Sequence, residues 1–236
     1  MVNDVIIYNE DCFDFIKKVE EKSVDLVLID PPYNISRETN FASGDETGRD
    51  VDRFRISMDF GEWDSDFTHD SIDILCKEFY RVLKYSGTLI IFYDLWKISY
   101  LKESLEKARF KQIRFIEWIK TNPVPINSKV NYLTNSREIA LLGVKRGSPT
   151  FNSSYDNGIY NYPICRDKGR FHPTQKPLKL IEELVLKHSN EGDLVLDCFS
   201  GSGTTALACM NNNRRFLGCE INEEYYNKSI ERLNKY

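Results

Sequence analysis

Three clusters of residues have types and spacings suited to chemistry. The first is Asp30-Pro31-Pro32-Tyr33, directly after the apolar run 24–29. Consecutive prolines fix φ and cannot continue a central strand, so the chain leaves the sheet there. One carboxylate, one rigid backbone oxygen and one aromatic ring then stand together at the mouth of a sheet. A proline turn with a solvated Asp and a packed Tyr would use the same four residues structurally.

The second cluster is the run 194–206, in which the apolar Leu194-Val195-Leu196 leads through Asp197-Cys198-Phe199-Ser200-Gly201-Ser202-Gly203-Thr204-Thr205 into Ala206. Its glycines permit a tight turn and close backbone approach to a ligand, and a helix N-terminus beyond them offers free N–H groups. Gly201, Gly203 and Ala206 satisfy the loose pattern G-x-G-x-x-G/A. Roughly twenty residues on, the next apolar run ends at Glu220, an acid suited to ribose hydroxyls. On these residues NAD, FAD and S-adenosylmethionine all remain open. The third cluster, Phe171-His172-Pro173-Thr174-Gln175-Lys176-Pro177, reads by itself as a turn and helix cap with Pro177 in the first turn. His172 differs from His69 and His188, which we read as structural, only through its neighbours.

These clusters need strand ends and helix starts to hold them. Strands are expected over 5–8, 24–29, 88–93, 113–118, 138–144, 194–198 and 216–218, several apolar without alternation, as in a parallel sheet buried on both faces. Helices are expected over 12–21, 68–84, 94–109, 177–188, 204–212 and 223–234. The alternation predicts an α/β, doubly wound sheet, which binds ligands beyond the carboxyl ends of its strands. Two stretches break it: 37–64, long and polar, reads as a mobile loop, and 148–171 as irregular chain.

The chain has 236 residues, 41% of them hydrophobic and 29% charged. That is a globular composition and leaves room for one large domain, with no linker to divide it. No apolar run approaches the roughly 20 residues of a membrane span, and the N-terminus lacks a signal-peptide pattern. The six cysteines form no C-x-x-C pair, so buried reduced thiols in the cytoplasm are expected, with no metal. Net charge is −4 but unevenly spread. Acids prevail over 38–78, whereas over 109–146 eight bases face only Glu117 and Glu138.

Taken in order, Asp30-Pro31-Pro32-Tyr33, His172-Pro173-Thr174-Gln175-Lys176-Pro177 and Phe199-Ser200-Gly201-Ser202-Gly203-Thr204-Thr205 resemble the signature set of the β group of DNA amino-methyltransferases. The segments 59–64 and 117–125 are also similar to that family, so the resemblance spans nearly the whole chain. It implies a Rossmann-like methyltransferase sheet with a circularly permuted motif order, the catalytic tetrapeptide preceding the cofactor loop. S-adenosylmethionine is the implied cofactor and DNA the implied substrate. The implied product is N6-methyladenine, with cytosine N4 as the alternative.

The resemblance also assigns roles. Asp30 and the Pro31 carbonyl, stiffened by Pro32, would accept hydrogen bonds from the target amine, and Tyr33 would stack on the flipped base. Asp30 would also border the cofactor. Asp11 and Cys12 would lie near the cofactor's adenine and Glu220 at its ribose. Phe199, Gly201, Ser202, Gly203, Thr204 and Thr205 would hold the methionine part, with His172 and Thr174 at its carboxylate, and Asp197 would also border the cofactor. The family implies a single catalytic domain over 1–236, a short target-recognition insertion near 121–171, and the basic segment 109–146 on DNA phosphates. A homodimer and a cognate restriction endonuclease are further implied partners, with no membrane. The chain departs from the family in having Cys198 where Pro is common, and in the shortness of that insertion.

Overall fold

Runs of Val, Leu and Ile without alternation form the middle of one sheet, where both faces are covered. The computed structural model describes residues 4–32, 68–123, 133–165, 170–172 and 174–235. Among these, eight strands pair: β1 (Val5–Asn9), β2 (Val24–Ile29), β3 (Leu83–Tyr93), β4 (Lys111–Lys120), β5 (Arg137–Val144), β6 (Ile159–Tyr162), β7 (Leu194–Asp197) and β8 (Arg215–Glu220). Their spatial order is β1-β8-β7-β2-β3-β5-β4-β6. The first five in that order run parallel. β5 is antiparallel to both β3 and β4, and β6 is parallel to β4.

Helices cover both faces: α1 (Cys12–Lys18), α2 (His69–Val82), α3 (Ile98–Lys107), α4 (Leu178–His188), α5 (Thr204–Asn211) and α6 (Glu223–Leu233). Side chains alternate across a strand, and β2 shows the result. Val27 and Ile29 pack with Phe15 of α1, Phe79 of α2 and Leu101 of α3. Leu26 and Leu28 face the other way, toward Leu184 of α4 and Ala208 of α5. Each such side chain, wholly withdrawn from water, contributes about 1.5–3 kcal/mol. The expected doubly wound α/β sheet is therefore present.

The permuted order has a simple spatial meaning. The tetrapeptide begins after β2 and the glycine loop follows β7, and these strands are hydrogen-bonded neighbours, Leu26 opposite Val195 and Val27 opposite Leu196. Motifs about 170 residues apart thus meet at one edge.

Three expectations need correction. Within the stretch read as irregular, 159–162 is a strand: Tyr160 is buried while Ile159 and Asn161 are exposed, and the Tyr162 carbonyl accepts from Trp118 Nε1 at 2.8 Å. The helix expected to start at 94 begins at Ile98, preceded by a 3₁₀ turn over Leu95–Lys97 whose cap Asp94 accepts from the Trp96 N–H. The helix expected to reach 84 ends at Val82, because Leu83 joins the sheet opposite Val24. The loop 37–64 lies outside the described residues.

Candidate active site

The carboxyl ends of β1, β2, β7 and β8 surround a cavity of about 300 Å³. From β2 come Asp30, Pro31 and Pro32, which line it as expected. Tyr33 lies outside the described residues.

After β1, Asp11 and Cys12 line the same cavity. Asp11 is also the N-cap of α1, accepting from the Phe13 N–H at 2.8 Å, which holds its carboxylate at the rim. Burial, with Asp11 adding to it, pushes the Cys12 thiol up to about 12. The thiolate that nucleophilic catalysis needs is therefore absent at neutral pH.

The glycine loop follows β7. Asp197, Phe199, Gly201, Ser202, Thr204 and Thr205 all line the cavity. Burial raises the Asp197 carboxyl to about 7, against the lowering effect of a hydrogen bond from the Phe199 N–H. Gly203 does not face the cavity. Its φ of +70° makes the left-handed turn into α5, and a Cβ there would lie 3.1 Å from Ser229 Cβ. It thus shapes the loop and lets α6 pack closely.

Glu220, at the end of β8, lines the cavity but is already engaged. Its Oε2 accepts from the Gly201 N–H at 2.7 Å and its Oε1 from the Asn222 N–H at 2.9 Å. It therefore anchors the glycine loop as well as facing the ligand space, and burial pushes its carboxyl up.

His172 and Thr174 complete the wall, joined by a 3.2 Å contact between Nδ1 and Oγ1. The His172 ring meets Tyr225 edge-on at 4.4 Å, and a Cβ on Gly201 would stand 3.3 Å from its Nε2. Burial, reinforced by Lys176 and Arg170, lowers its pKa to about 4. At neutral pH it can meet a carboxylate only as a neutral hydrogen-bond donor.

Lys176 and Glu138 were missed. Lys176 lines the cavity, its side chain only 7% exposed, and forms ion pairs with Asp30 and Glu138. Sequence placed Lys176 inside a noted motif but offered no signal for its partner. Among the described residues no group of three or more His, Cys, Asp or Glu could hold a metal ion.

Charge distinguishes among the nucleoside cofactors left open above. Glu10, Asp11, Asp30, Asp197 and Glu220 line the cavity, against Lys176 as the one cation on its described walls. An acid-rich wall opposes the pyrophosphate of NAD or FAD and suits a cationic cofactor. Glycine loop, Glu220 and acidic lining together fit a nucleoside that carries positive charge.

Comparison with known proteins agrees. A family model described as DNA methylase matches residues 24–231. The chain is 31% identical over 257 residues to the type II methyltransferase M2.DpnII of Streptococcus pneumoniae, covering 98% of this chain and 90% of that protein. It is 32% identical over 241 residues to M.HpaI of Haemophilus parainfluenzae, covering 93% and 71%. Its structure is similar to a crystal structure of the M1.HpyAVI–SAM complex, with a TM-score of 0.68 and 30% identity over 96% of this chain and 98% of that one. The PvuII cytosine-N4-specific DNA methyltransferase superposes with a TM-score of 0.73 at 18% identity, covering 96% and 85%, a likeness of fold.

Proposed function

The chain belongs to the N6/N4 DNA methylase family, and from that premise we propose that its product is N6-methyladenine in DNA. It is a site-specific DNA methyltransferase, and its cofactor is S-adenosylmethionine. The choice of amine is our reading, and one observation carries it. The acceptor at the pocket mouth is the carboxylate of Asp30, heading Asp-Pro-Pro-Tyr, where cytosine-N4 members of the family more often carry Ser. Cytosine N4 is the alternative, with the same residues in the same roles.

The residues divide the work by position. When bound, S-adenosylmethionine supplies a methyl group on a sulfonium, a very good leaving group. Glu220 and Asp11 face its nucleoside side, while Gly201, Ser202, Thr204 and Thr205 line the methionine side with His172 and Thr174. The exocyclic amine is a poor nucleophile because its lone pair is delocalised into the ring. Hydrogen bonds from its two N–H groups to Asp30 and the Pro31 carbonyl favour a tetrahedral nitrogen whose lone pair points at the methyl group. Catalysis then consists of positioning and electrostatics, with reacting atoms at about 3–3.5 Å. The base must leave the duplex, which costs a few kcal/mol. Stacking on Tyr33 would return about 1–3 kcal/mol of that.

We read 1–236 as one catalytic domain that works in the cytoplasm. A homodimer and a cognate restriction endonuclease are partners inferred from the family resemblance alone. No helix among the described residues is long and apolar enough to cross a membrane.

The test is transfer of labelled methyl from S-adenosylmethionine to unmethylated genomic DNA, followed by nucleoside analysis. N6-methyladenine as the labelled product is expected. Label in N4-methylcytosine would replace the adenine reading with the alternative.

A further inference from the structure

The charges at the pocket mouth form a connected row drawn from four places in the chain. Lys176 immediately precedes Pro177, the cap of α4. Its ammonium lies against the Asp30 carboxylate and 3.1 Å from Glu138 Oε2. Lys120 holds the other Glu138 oxygen, Oε1, at 2.7 Å. Asp30 follows β2, Glu138 is the second residue of β5, and Lys120 ends β4. Between β2 and β5 runs β3, and the Lys176 ammonium passes 5.0 Å from the centre of its Phe92 ring. Because β5 runs against its neighbours, its start stands at the edge that holds the site.

A buried ammonium beside a binding site for a cationic cofactor is unfavourable unless carboxylates hold it. Two do so here. Burial lowers the Lys176 pKa, but Asp30 and Glu138 outweigh it and push the value up to about 12. The ammonium therefore stays charged and cannot act as a base. Asp197 shows what the same cavity does to a carboxyl dominated by burial, raising it to about 7. A protonated Asp30 would offer a hydrogen where the amine needs an acceptor.

We propose that Lys176 is a positioning residue for methyl transfer, its ammonium, itself held by Glu138, keeping the Asp30 carboxylate ionised and aimed at the target amine. The proposal rests on the reading of Asp30 as the amine's acceptor. The charged groups facing this pair are Asp197 after β7, Glu138 on β5, Lys120 on β4 and the neutral His172 on the same segment as Lys176; β3 presents the uncharged Phe92. The residues between Lys120 and Glu138 belong to the expected target-recognition insertion. The row therefore ties the base of that insertion to the reacting centre.

The test is the pH profile of kcat for labelled-methyl transfer into unmethylated genomic DNA at saturating S-adenosylmethionine. Wild type, Lys176→Met, Lys176→Arg, Glu138→Gln and Asp30→Asn are compared. Removing a cation this close should raise the acid limb by about one to three pH units in Lys176→Met. KM for S-adenosylmethionine should not rise, Lys176→Arg should restore most of the profile, and Glu138→Gln, which leaves the ammonium to Asp30 alone, should move the limb less and toward lower pH. A Lys176→Met loss that is equal at every pH, or a raised KM with an unmoved limb, overturns the proposal in favour of packing or of cofactor holding. Should Lys176→Met fail to fold, an unmoved limb in Glu138→Gln overturns it equally. A wild type without transfer, or an Asp30→Asn variant of full activity, refutes the underlying reading of Asp30 and the proposal with it. An active wild type with an inactive Asp30→Asn leaves that reading standing whatever Lys176 does.

Discussion

At the scale of the residue, Asp30 and His188 make separate demands. Asp30 sits at the mouth with its side chain 22% exposed and its backbone held by the following prolines. Asp30→Ala should therefore lower kcat by at least about 10²-fold, the loss typical of one acceptor or donor aimed at a transition state. Isothermal titration should find S-adenosylmethionine still bound, and circular dichroism an unchanged fold. His188 is a different case: buried against Phe151 at the end of α4, its pKa is lowered by burial to about 4. Between about pH 6.5 and 4 the unfolded chain binds a proton that the native imidazole refuses, so stability falls as pH falls across that window. The change is on the order of 3 kcal/mol. Urea unfolding at both ends of the window should show a shallower pH dependence in His188→Gln than in wild type. Equal slopes would mean that His188 is not the group responsible.

At the scale of the element, the close approach of β8 to β7 sets the cofactor wall. A Cβ on Gly218 would lie 2.5 Å from the Asp197 carbonyl oxygen and 2.6 Å from Ser200 Oγ. Backbone cannot yield as a flexible side chain does, so Gly218→Ala should separate the strands. Overpacking of this kind costs about 1–3 kcal/mol, readable as a lower Tm. Because Glu220 ends the same strand, affinity for S-adenosylmethionine should fall by about tenfold, or 1.4 kcal/mol. A stable variant with native affinity would contradict this account. Strand β6 escaped the sequence reading at this same scale. Four residues at a sheet edge carry too short a pattern, and Tyr160 and Tyr162 among Asn, Ser and Gly looked like loop. What makes them a strand is long-range, pairing with β4 from Glu117 to Lys120.

At the scale of the molecule, the basic segment 109–146 proves to be two populations. β4 runs from Lys111, beside Val144, to Lys120 at the site edge, a span of roughly 30 Å. Lys111 and its neighbours Arg109, Lys145 and Arg146 therefore lie at the edge away from the cavity. Lys145 is buried, its ammonium donating to the Leu83 carbonyl at 2.7 Å. Lys120 is committed to Glu138. Arg114, midway along β4, is exposed as well, but Arg137, beside the cavity edge and 64% exposed in spite of its Glu117 partner, is the phosphate contact we infer. We therefore narrow the expected phosphate contact to the segment's cavity edge, Lys129 lying outside the described residues. In the salt dependence of DNA binding, Arg137→Ala should reduce the slope by about 0.9, one phosphate's worth, while Lys111→Ala leaves it unchanged. The reverse pattern would put the DNA on the other edge.

Much of the fold and site was legible because its determinants are local. Continuous apolar runs must be strands covered on both faces, Asp30-Pro31-Pro32 must leave the sheet, and the Gly201–Gly203 loop must turn tightly before a helix. Those residues also carried the family resemblance, and with it the cofactor. What only the tertiary structure decided is charge pairing and direction. Lys176 and Asp30 are separated by 146 positions, and they meet because β2 and α4's leading segment converge on one edge. Glu138 joins them only because β5 runs antiparallel, a choice made by the packing of neighbouring strands that its own eight residues do not encode. Whether a given lysine is a DNA contact, a buried strut or part of the site depends on which partner burial brings to it, and composition cannot report that.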